Sequence, residues 1–510
     1  DTISAVAGRA FTIRPLDNDS DPDGDAISLQ SFTAPTKGSV VAGPGASLTY
    51  TAAVDASGAD SFTYTIVDST GRTATGTVTV DVIGPGRFSE LKSVLAAAPE
   101  GSWIRLNKNL FSSVWTPKHQ RPCTGYNLPS KVITAWGSMA FDSNRGDLIF
   151  WGGGHNNYCG NEVYRFRLST LSWERASLPS AIYSPTGDKQ FAAVDGVLNA
   201  PTSAHTYDNQ EFLPTLDRFI TFGGAKYNIK AQFVLEDGVT MTGPYLWDPS
   251  RADPMRVGGT RGSHVDPPRF PDVFGGEMWD NRNTVVVRGF GPDRPDKNFV
   301  NGTSAYGVHN GKDAVYVTLH PDLSGKLLRY VINDINDPDQ DTWQLVGVKS
   351  NAYTGKGAGA LDAWRNIYVR TVGPTTDPGF LAWNLNTAGP GNKDVRFKLP
   401  TVSTEFLANA LQSCGMDFDS VRGAFALWCT GKEVWYLTPP AEFGPTGWTL
   451  TRAPTVANGF EPTYRAADST FPGVLGKWKY ARRFDIFLGA FERHTGHIYA
   501  YKPHGWQPQD

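Results

Sequence analysis

Short alternations of apolar and polar residues recur through the first eighty positions: Ala10-Phe11-Thr12-Ile13, Ser47-Leu48-Thr49-Tyr50-Thr51, Phe62-Thr63-Tyr64-Thr65-Ile66 and Thr77-Val78-Thr79-Val80. A period of two marks half-buried strands, and strands this close together between turn residues predict a Greek-key β-sandwich over residues 1–83. Ile83-Gly84-Pro85-Gly86 breaks the pattern, and the apolar spacing of Phe88, Leu91 and Leu95 predicts one short helix within a linker at 84–100. From residue 101 to 510 the strand pattern resumes.

That long stretch repeats itself. Gly137-Ser138-Met139-Ala140-Phe141-Asp142-Ser143-Asn144-Arg145-Gly146 matches Cys414-Gly415-Met416-Asp417-Phe418-Asp419-Ser420-Val421-Arg422-Gly423, and both run into an apolar strand ending at Trp151 or Trp428. Each is followed by a Glu-Val strand at Glu162 or Glu433 and then a strand bearing Trp173 or Trp448, which makes a four-strand meander. Looser copies begin near His205, Glu277, Tyr306, Gly359 and Lys477. Their uneven spacing leaves six or seven units open. Four-stranded sheets repeated at roughly 40–50 residues predict a β-propeller. The last copy lacks a fourth strand, and Ser102-Trp103-Ile104-Arg105-Leu106 is a strand without a sheet, so the first strand is expected to complete the last unit and remove two exposed edges. The fold class is therefore all-β, a sandwich followed by a seven-bladed or six-bladed propeller.

Composition narrows the class. At 510 residues the chain exceeds the size of a single core. Charged residues are 19% and aromatics 12%, with Gly 54 and Pro 35, which suits short strands and ring-filled cores and argues against coiled coils and disorder. Lys+Arg 47 against Asp+Glu 50 provides no global field for nucleic acid. No window reaches the ~18–20 apolar residues of a membrane helix. The chain starts at Asp1 rather than Met, so an N-terminus already removed by processing or design is the simplest reading, and a secreted or cell-surface, bacterial extracellular or periplasmic, monomeric protein is expected. Cys123, Cys159, Cys414 and Cys429 have no CxxC spacing; two disulfides are expected, with four buried thiols as the alternative. Asp17, Asp19, Asp21, Asp23 and Asp25 lie within nine residues and read either as a solvated acidic turn or as a structural site for calcium or another divalent metal.

Candidate chemistry collects where inner strands would begin. Aligned by the Asp of the following turn, His205 and Glu277 take the places of Met139 and Met416, and Tyr306 in Ser304-Ala305-Tyr306 matches His205 in Ser203-Ala204-His205. His155 follows Gly152-Gly153-Gly154, which lets the backbone turn sharply; a Cys159–Cys123 bond would staple that loop, and Cys414 and Cys429 flank their hairpin as a cross-strand pair. Arg288 ends a second strand, Lys226 and Lys230 follow Gly223-Gly224, and Lys477, Lys479, Arg482 and Arg483 add charge in the last copy. Together they suit an acidic sugar chain, with Trp136 and Trp279 as aromatic platforms. No Gly-x-Ser-x-Gly elbow, Walker loop, HExxH or dinucleotide fingerprint occurs.

The aspartate-rich segment, with Gly58-Ala59-Asp60-Ser61-Phe62-Thr63-Tyr64 and Asp68-Ser69-Thr70-Gly71, resembles cadherin-like or Ig-like repeats of bacterial extracellular proteins, which implies spacing, adhesion or carbohydrate contact. Gly152-Gly153-Gly154 and Gly223-Gly224 with downstream Tyr and Trp resemble kelch repeats over roughly residues 100–505. The Gly-Gly-Gly-His-Asn loop, with His and Tyr at channel mouths, resembles the ulvan-lyase-like propeller polysaccharide lyases, although Thr134-Ala135-Trp136 stands where those families carry a second histidine. That resemblance implies β-elimination on a uronate polysaccharide with no cofactor needed for the chemistry. Arg288 and His155 would face the carboxylate with Lys226 assisting, His205 would be the base and Tyr306 the acid. A non-catalytic carbohydrate-binding propeller and a glycoside hydrolase using Glu277 are the rival readings.

Overall fold

The computed structural model describes residues 1–122, 128–154, 157–183, 192–226, 243–260, 275–284, 298–322, 324–350, 353, 355–372, 379–397, 411–429, 431–454, 456, 459–462, 473–490, 492 and 494–509. The chain is all-β apart from short helical turns, and it divides into two compact units: Asp1–Ser93 with Asp248–Ala252, and Val94–Trp247 with Asp253–Asp510. Among the described residues no helix is long and apolar enough to cross a membrane.

The first unit is a two-sheet sandwich. Its strands are β1 (Thr2–Val6), β2 (Ala10–Ile13), β3 (Ser28–Phe32), β4 (Gly38–Ala42), β5 (Leu48–Ala52), β6 (Gly58–Val67) and β7 (Thr73–Ile83). One sheet runs β1-β7-β6-β3, with β1 parallel to β7, and the other runs β2-β5-β4. Alternation decides what points inward: Leu48, Tyr50 and Ala52 from β5 meet Phe62, Tyr64, Val78, Val80 and Val82 in one core. The buried Asp60 is tolerated because Thr36, Lys37 and Tyr50 all donate to it. After β7 the chain forms a short helix, α1 (Ser89–Ala97).

Among the described residues the second unit contains six four-stranded antiparallel sheets, here numbered I to VI. Sheet I is Met139–Asp142, Asp147–Phe150, Tyr164–Arg167 and Ser172–Arg175. Sheet II is Gln210–Leu213, Arg218–Thr221, Tyr245–Trp247 and Trp279–Asn281. Sheet III is Ser304–His309, Lys312–Thr318, Leu327–Val331 and Thr342–Gly347. Sheet IV is Gly359–Asp362, Ile367–Val372, Gly379–Asn384 and Val395–Phe397. Sheet V is Gly415–Asp419, Ala424–Trp428, Val434–Thr438 and Thr449–Arg452. Sheet VI is Trp478–Ala481, Ile486–Ala490 and Ile498–Lys502, with Ser102–Arg105 as its fourth strand. The first strand of each sheet lies beside that of the next, and the first strand of VI lies beside that of I.

Neighbouring sheets pack face to face, so second strands are buried on both faces and read as unbroken apolar runs such as Ala424–Trp428. Rings fill the wedge between sheets. Trp103, Trp428 and Trp478 cluster with centroids 4.8–5.6 Å apart between V and VI, and Phe397 stacks on Trp448 at 4.1 Å between IV and V. The hairpin turns joining first and second strands are tied from sheet to sheet by charge. Arg145 bonds Asp142 in its own turn and Asp217 in sheet II, Asp313 of III accepts from the Leu216 amide, and Arg422 bonds Asp419 and reaches Asp485 of VI.

Two expectations about the repeat are corrected. The unit expected to start at Glu277 is the outermost strand of sheet II, Trp279–Asn281, paired with Tyr245–Trp247. In sheet II the place of Asp142 is taken by Leu213, not Asp208, so His205 sits five residues ahead of the first strand, in a two-residue strand paired with Ala225–Lys226. Glycine makes that insertion feasible: the Gly153 amide donates to the Ala204 carbonyl at 2.9 Å, and a Cβ on Gly154 would lie 2.6 Å from the Ala204 Cα.

Candidate functional site

The segments leading into the six first strands lie at one end of those strands, and three of them interlock around His205. The Tyr207 amide donates to the Trp136 carbonyl at 2.6 Å, the Gly476 amide to the Tyr207 carbonyl at 3.4 Å, and the Met139 amide to the Gly476 carbonyl at 3.2 Å. Trp136, Tyr207 and Leu475 all have positive φ, at 46°, 52° and 52°. Bulky residues in the left-handed region carry strain that persists only where surrounding structure enforces it, and such strain concentrates at functional sites.

The Trp136 indole stacks on the His205 imidazole with centroids 4.7 Å apart and 29° between planes, and Tyr207 meets the same imidazole edge-on at 6.1 Å. His205 is 2% exposed and Trp136 half-buried, so the indole screens the imidazole. The Asn157 side-chain amide donates to His205 Nε2 at 2.8 Å, an arrangement that puts the ring proton on Nδ1 and a lone pair on Nε2. Burial raises the Tyr207 phenol well above its ordinary value, so it stays protonated.

Beneath this aromatic group lies a buried ionic cluster drawn from five sheets. Lys479 of VI reaches Glu211 of II at 3.2 Å and Asp208 at 3.9 Å, while Ser304 of III donates to Glu211 at 2.9 Å. The Gly359 amide of IV donates to Asp208 at 2.7 Å, and Asp417 of V accepts from the Tyr480 amide at 2.7 Å. Burial, only partly offset by Lys479 and reinforced by Glu211, pushes Asp208 up to about 8, and burial likewise carries Asp417 to about 6. Lys479 moves the other way: burial lowers it, but Glu211, Asp208 and Asp417 hold it above its ordinary value.

Lys477 is wholly buried and donates to the Gly137 carbonyl at 2.7 Å, tying sheet VI to the turn that carries Trp136. Burial, with the nearby Lys356 charge, brings it down to about 7, and burial brings Lys356 to about 8. Lys477 thus stands next to the turn that carries Trp136, with the Lys356 charge near it.

The sequence-predicted residues fall into three groups. Trp136 and His205 are brought together. Tyr306 lies further along the first strand of sheet III, half-buried, with its hydroxyl donating to Asp313 at 3.0 Å near the hairpin turn. Glu277 is exposed ahead of the outermost strand of sheet II, and Trp279, expected as an exposed platform, is 7% exposed against Trp151, Phe219 and Tyr245. His155, Arg288, Cys123 and the Lys226 side chain lie outside the described residues. Cys414 and Cys429 are joined, and Cys159 is disulfide-bonded. The aspartates expected to hold calcium are otherwise engaged: Asp19 accepts from Tyr64, Asp21 from the Asp23 and Asp25 amides, Asp23 pairs with Arg72 and Asp25 accepts from Ser69, while the Asp17 side chain lies outside the described residues. No metal-holding group of His, Cys, Asp or Glu occurs among the described residues. Sequence reasoning missed Asp208, Glu211, Asp417, Tyr207 and Lys356; the polar run Asp208-Asn209-Gln210-Glu211 entering a first strand was the available signal.

Comparison with known proteins identifies the first unit: residues 1–81 match the bacterial Ig domain. No curated protein matches the chain. A Bacteroides thetaiotaomicron protein of unknown function is similar over 98% of this chain and 95% of its own, at 9% identity and a TM-score of 0.39. A nucleoside hydrolase-related protein from Saccharophagus degradans, described as associated with carbohydrate metabolism, is 23% identical over 16% of this chain and 22% of its own, with a TM-score of 0.14. An endo-fucoidan hydrolase of glycoside hydrolase family 107 is 18% identical over 16% of this chain and 13% of its own, with a TM-score of 0.13. The chain thus spans less than a quarter of the length of either of the last two.

Proposed function

We propose that sheets I to VI are the blades of a six-bladed, kelch-like β-propeller, and that its strand-start face cleaves a uronate-containing polysaccharide by β-elimination, in a secreted or cell-surface bacterial protein. The succession of first strands from I to VI and back to I supports the ring. The observation that carries the function is the pair of mutually hydrogen-bonded, left-handed aromatic residues, Trp136 and Tyr207, enclosing His205. Functional sites concentrate strained residues of this kind, and an indole face suits a sugar ring.

In this reading the Trp136 indole swings off the His205 imidazole and its freed face bears the sugar ring. As the substrate displaces the Asn157 amide, the His205 Nε2 lone pair takes the C5 proton, the electron pair forms the C4–C5 double bond, and the C4–O4 bond breaks as the Tyr207 hydroxyl protonates O4. Tyr207 replaces Tyr306 as the acid because it adjoins the imidazole. Arg288 and His155 keep their assignment to the uronate carboxylate. A binding-only propeller is the second reading, favoured by the 2% exposure of His205.

Incubation with a panel of uronate polysaccharides, followed by the ultraviolet absorbance of the unsaturated product, decides between them. Elimination requires a rise that His205→Ala abolishes while its thermal unfolding stays that of the parent. Retention by the polymers with no absorbance establishes the binding reading, and turnover persisting in His205→Ala removes the assignment of the base.

A further inference from the structure

The opposite ends of the first strands carry the hairpin turns, and three of these share one plan: Asp142-Ser143-Asn144-Arg145, Asp362-Ala363-Trp364-Arg365 and Asp419-Ser420-Val421-Arg422. In each, the aspartate accepts from the two following turn amides and pairs with the arginine. The third position differs. Asn144 locks sheet I to sheet II through Pro214 and Asp217, and Val421 is half-buried, whereas Trp364 is 61% exposed. The turn forms with other residues at this position, so its plan does not require the indole.

The ring is nevertheless held. Its own amide is bound to Asp362, its edge meets Phe418 at 5.8 Å and 86°, and a Cβ on Gly423 would come within 3.2 Å of it, so glycine in the neighbouring turn makes room for the ring. Arg365 alongside is bound to Asp362 and to the Gly423 carbonyl, with a third of its side chain exposed. A rigid, exposed indole flanked by a fixed guanidinium presents a flat apolar face with donors at its rim. The exposed part of Trp364 amounts to roughly 150 Å², against the ~800 Å² per partner of a stable protein interface. The occupant that fits this area is a single pyranose ring, whose C–H face stacks on the indole while its hydroxyls reach Arg365.

We propose that Trp364 is a second saccharide platform, at the far end of the first strands from His205, which holds a polysaccharide without acting on it. It stands independently of the elimination chemistry. The test is affinity electrophoresis of the full chain in gels containing polygalacturonate, alginate, ulvan or neutral xyloglucan, with Trp364→Ala, Trp364→Phe and Trp136→Ala alongside. The expected result is that Trp364→Ala weakens retention by at least about fivefold and Trp364→Phe by about twofold or less, with thermal unfolding unchanged in both and turnover, where present, retained on short oligosaccharides. Retention unchanged in Trp364→Ala, or no retention of the parent protein in any of the four gels, overturns the proposal. So does concentration-dependent dimerisation in sedimentation that Trp364→Ala abolishes, which would make a second copy the occupant. Loss of elimination in His205→Ala leaves the Trp364 result unaffected, so the two readings fail separately.

Discussion

Replacing Lys479 with Met tests the buried ionic cluster most directly. Lys479 is the cation that faces Glu211, Asp208 and Asp417, and it is 8% exposed. Asp208, pushed up to about 8, holds its proton at pH 7, so the variant leaves Glu211 without the lysine that pairs with it and removes the charge that lowers Asp417. Removing one partner of a buried pair costs about 3–5 kcal/mol. The unit has about 410 residues, and at ~2.1 cal/mol/K per residue its unfolding entropy is about 0.9 kcal/mol/K, so Tm should fall by about 3–6 °C. Calorimetry at pH 7 measures this, and Lys479→Met/Glu211→Gln should recover part of the loss because the second substitution removes an orphaned charge. A fall below about 1 °C, or strict additivity of the two substitutions, would falsify the coupling.

Three further outcomes follow from the same geometry. Gly224→Ala places a Cβ on the His205 carbonyl, at a φ of 156°, so turnover should drop at least as far as it does in Trp136→Ala, with a stability loss of about 1–3 kcal/mol by denaturant titration. Burial raises Asp60, but bonds from Thr36 and Tyr50 and the Thr36 and Lys37 amides outweigh it and bring the carboxyl down to about 2; stability it contributes above about pH 4 is lost as pH falls toward 2, and Asp60→Asn should flatten that limb of an acid titration followed by circular dichroism. Lys477 is brought down from 10.5 to about 7, so its contribution to stability is lost as pH falls from about 10 to 7, and the pH dependence of Tm over that window should shrink in Lys477→Met.

Much of the fold was legible in the sequence because strand periodicity is local. The alternation in Leu48–Ala52 places alternate residues in the core, and the match between the Gly137 and Cys414 segments marks two equivalent hairpins whose strands superpose in plan. What escaped was non-local. Asp208 looks like a turn aspartate because it stands three residues after His205 and opens a short polar run, whereas Gly152, Gly154 and Gly224 bring backbone against Ala204 and His205 ahead of the first strand. Glu277 precedes a strand of ordinary pattern, and nothing in Trp279-Asp280-Asn281 distinguishes a first strand from a fourth. The ionic cluster joins residues up to 271 positions apart, a pairing no local window contains. Trp136 and Tyr207, both left-handed, are joined by a backbone hydrogen bond across 71 positions, which composition cannot convey.

The pairing of Ser102–Arg105 with Ile498–Lys502 also has a meaning in time. At ~5–20 residues per second, roughly 400 residues separate the two strands by some 20–80 s of synthesis. During that interval Trp103 has no Trp428 or Trp478 to pack against, and its strand is an unpaired edge able to recruit other chains. A chain interrupted anywhere before Ile498 would stay in that condition permanently. Ile498–Lys502 is therefore a checkpoint for sheet VI, and products truncated before it should be found in aggregates or degraded rather than as soluble fragments.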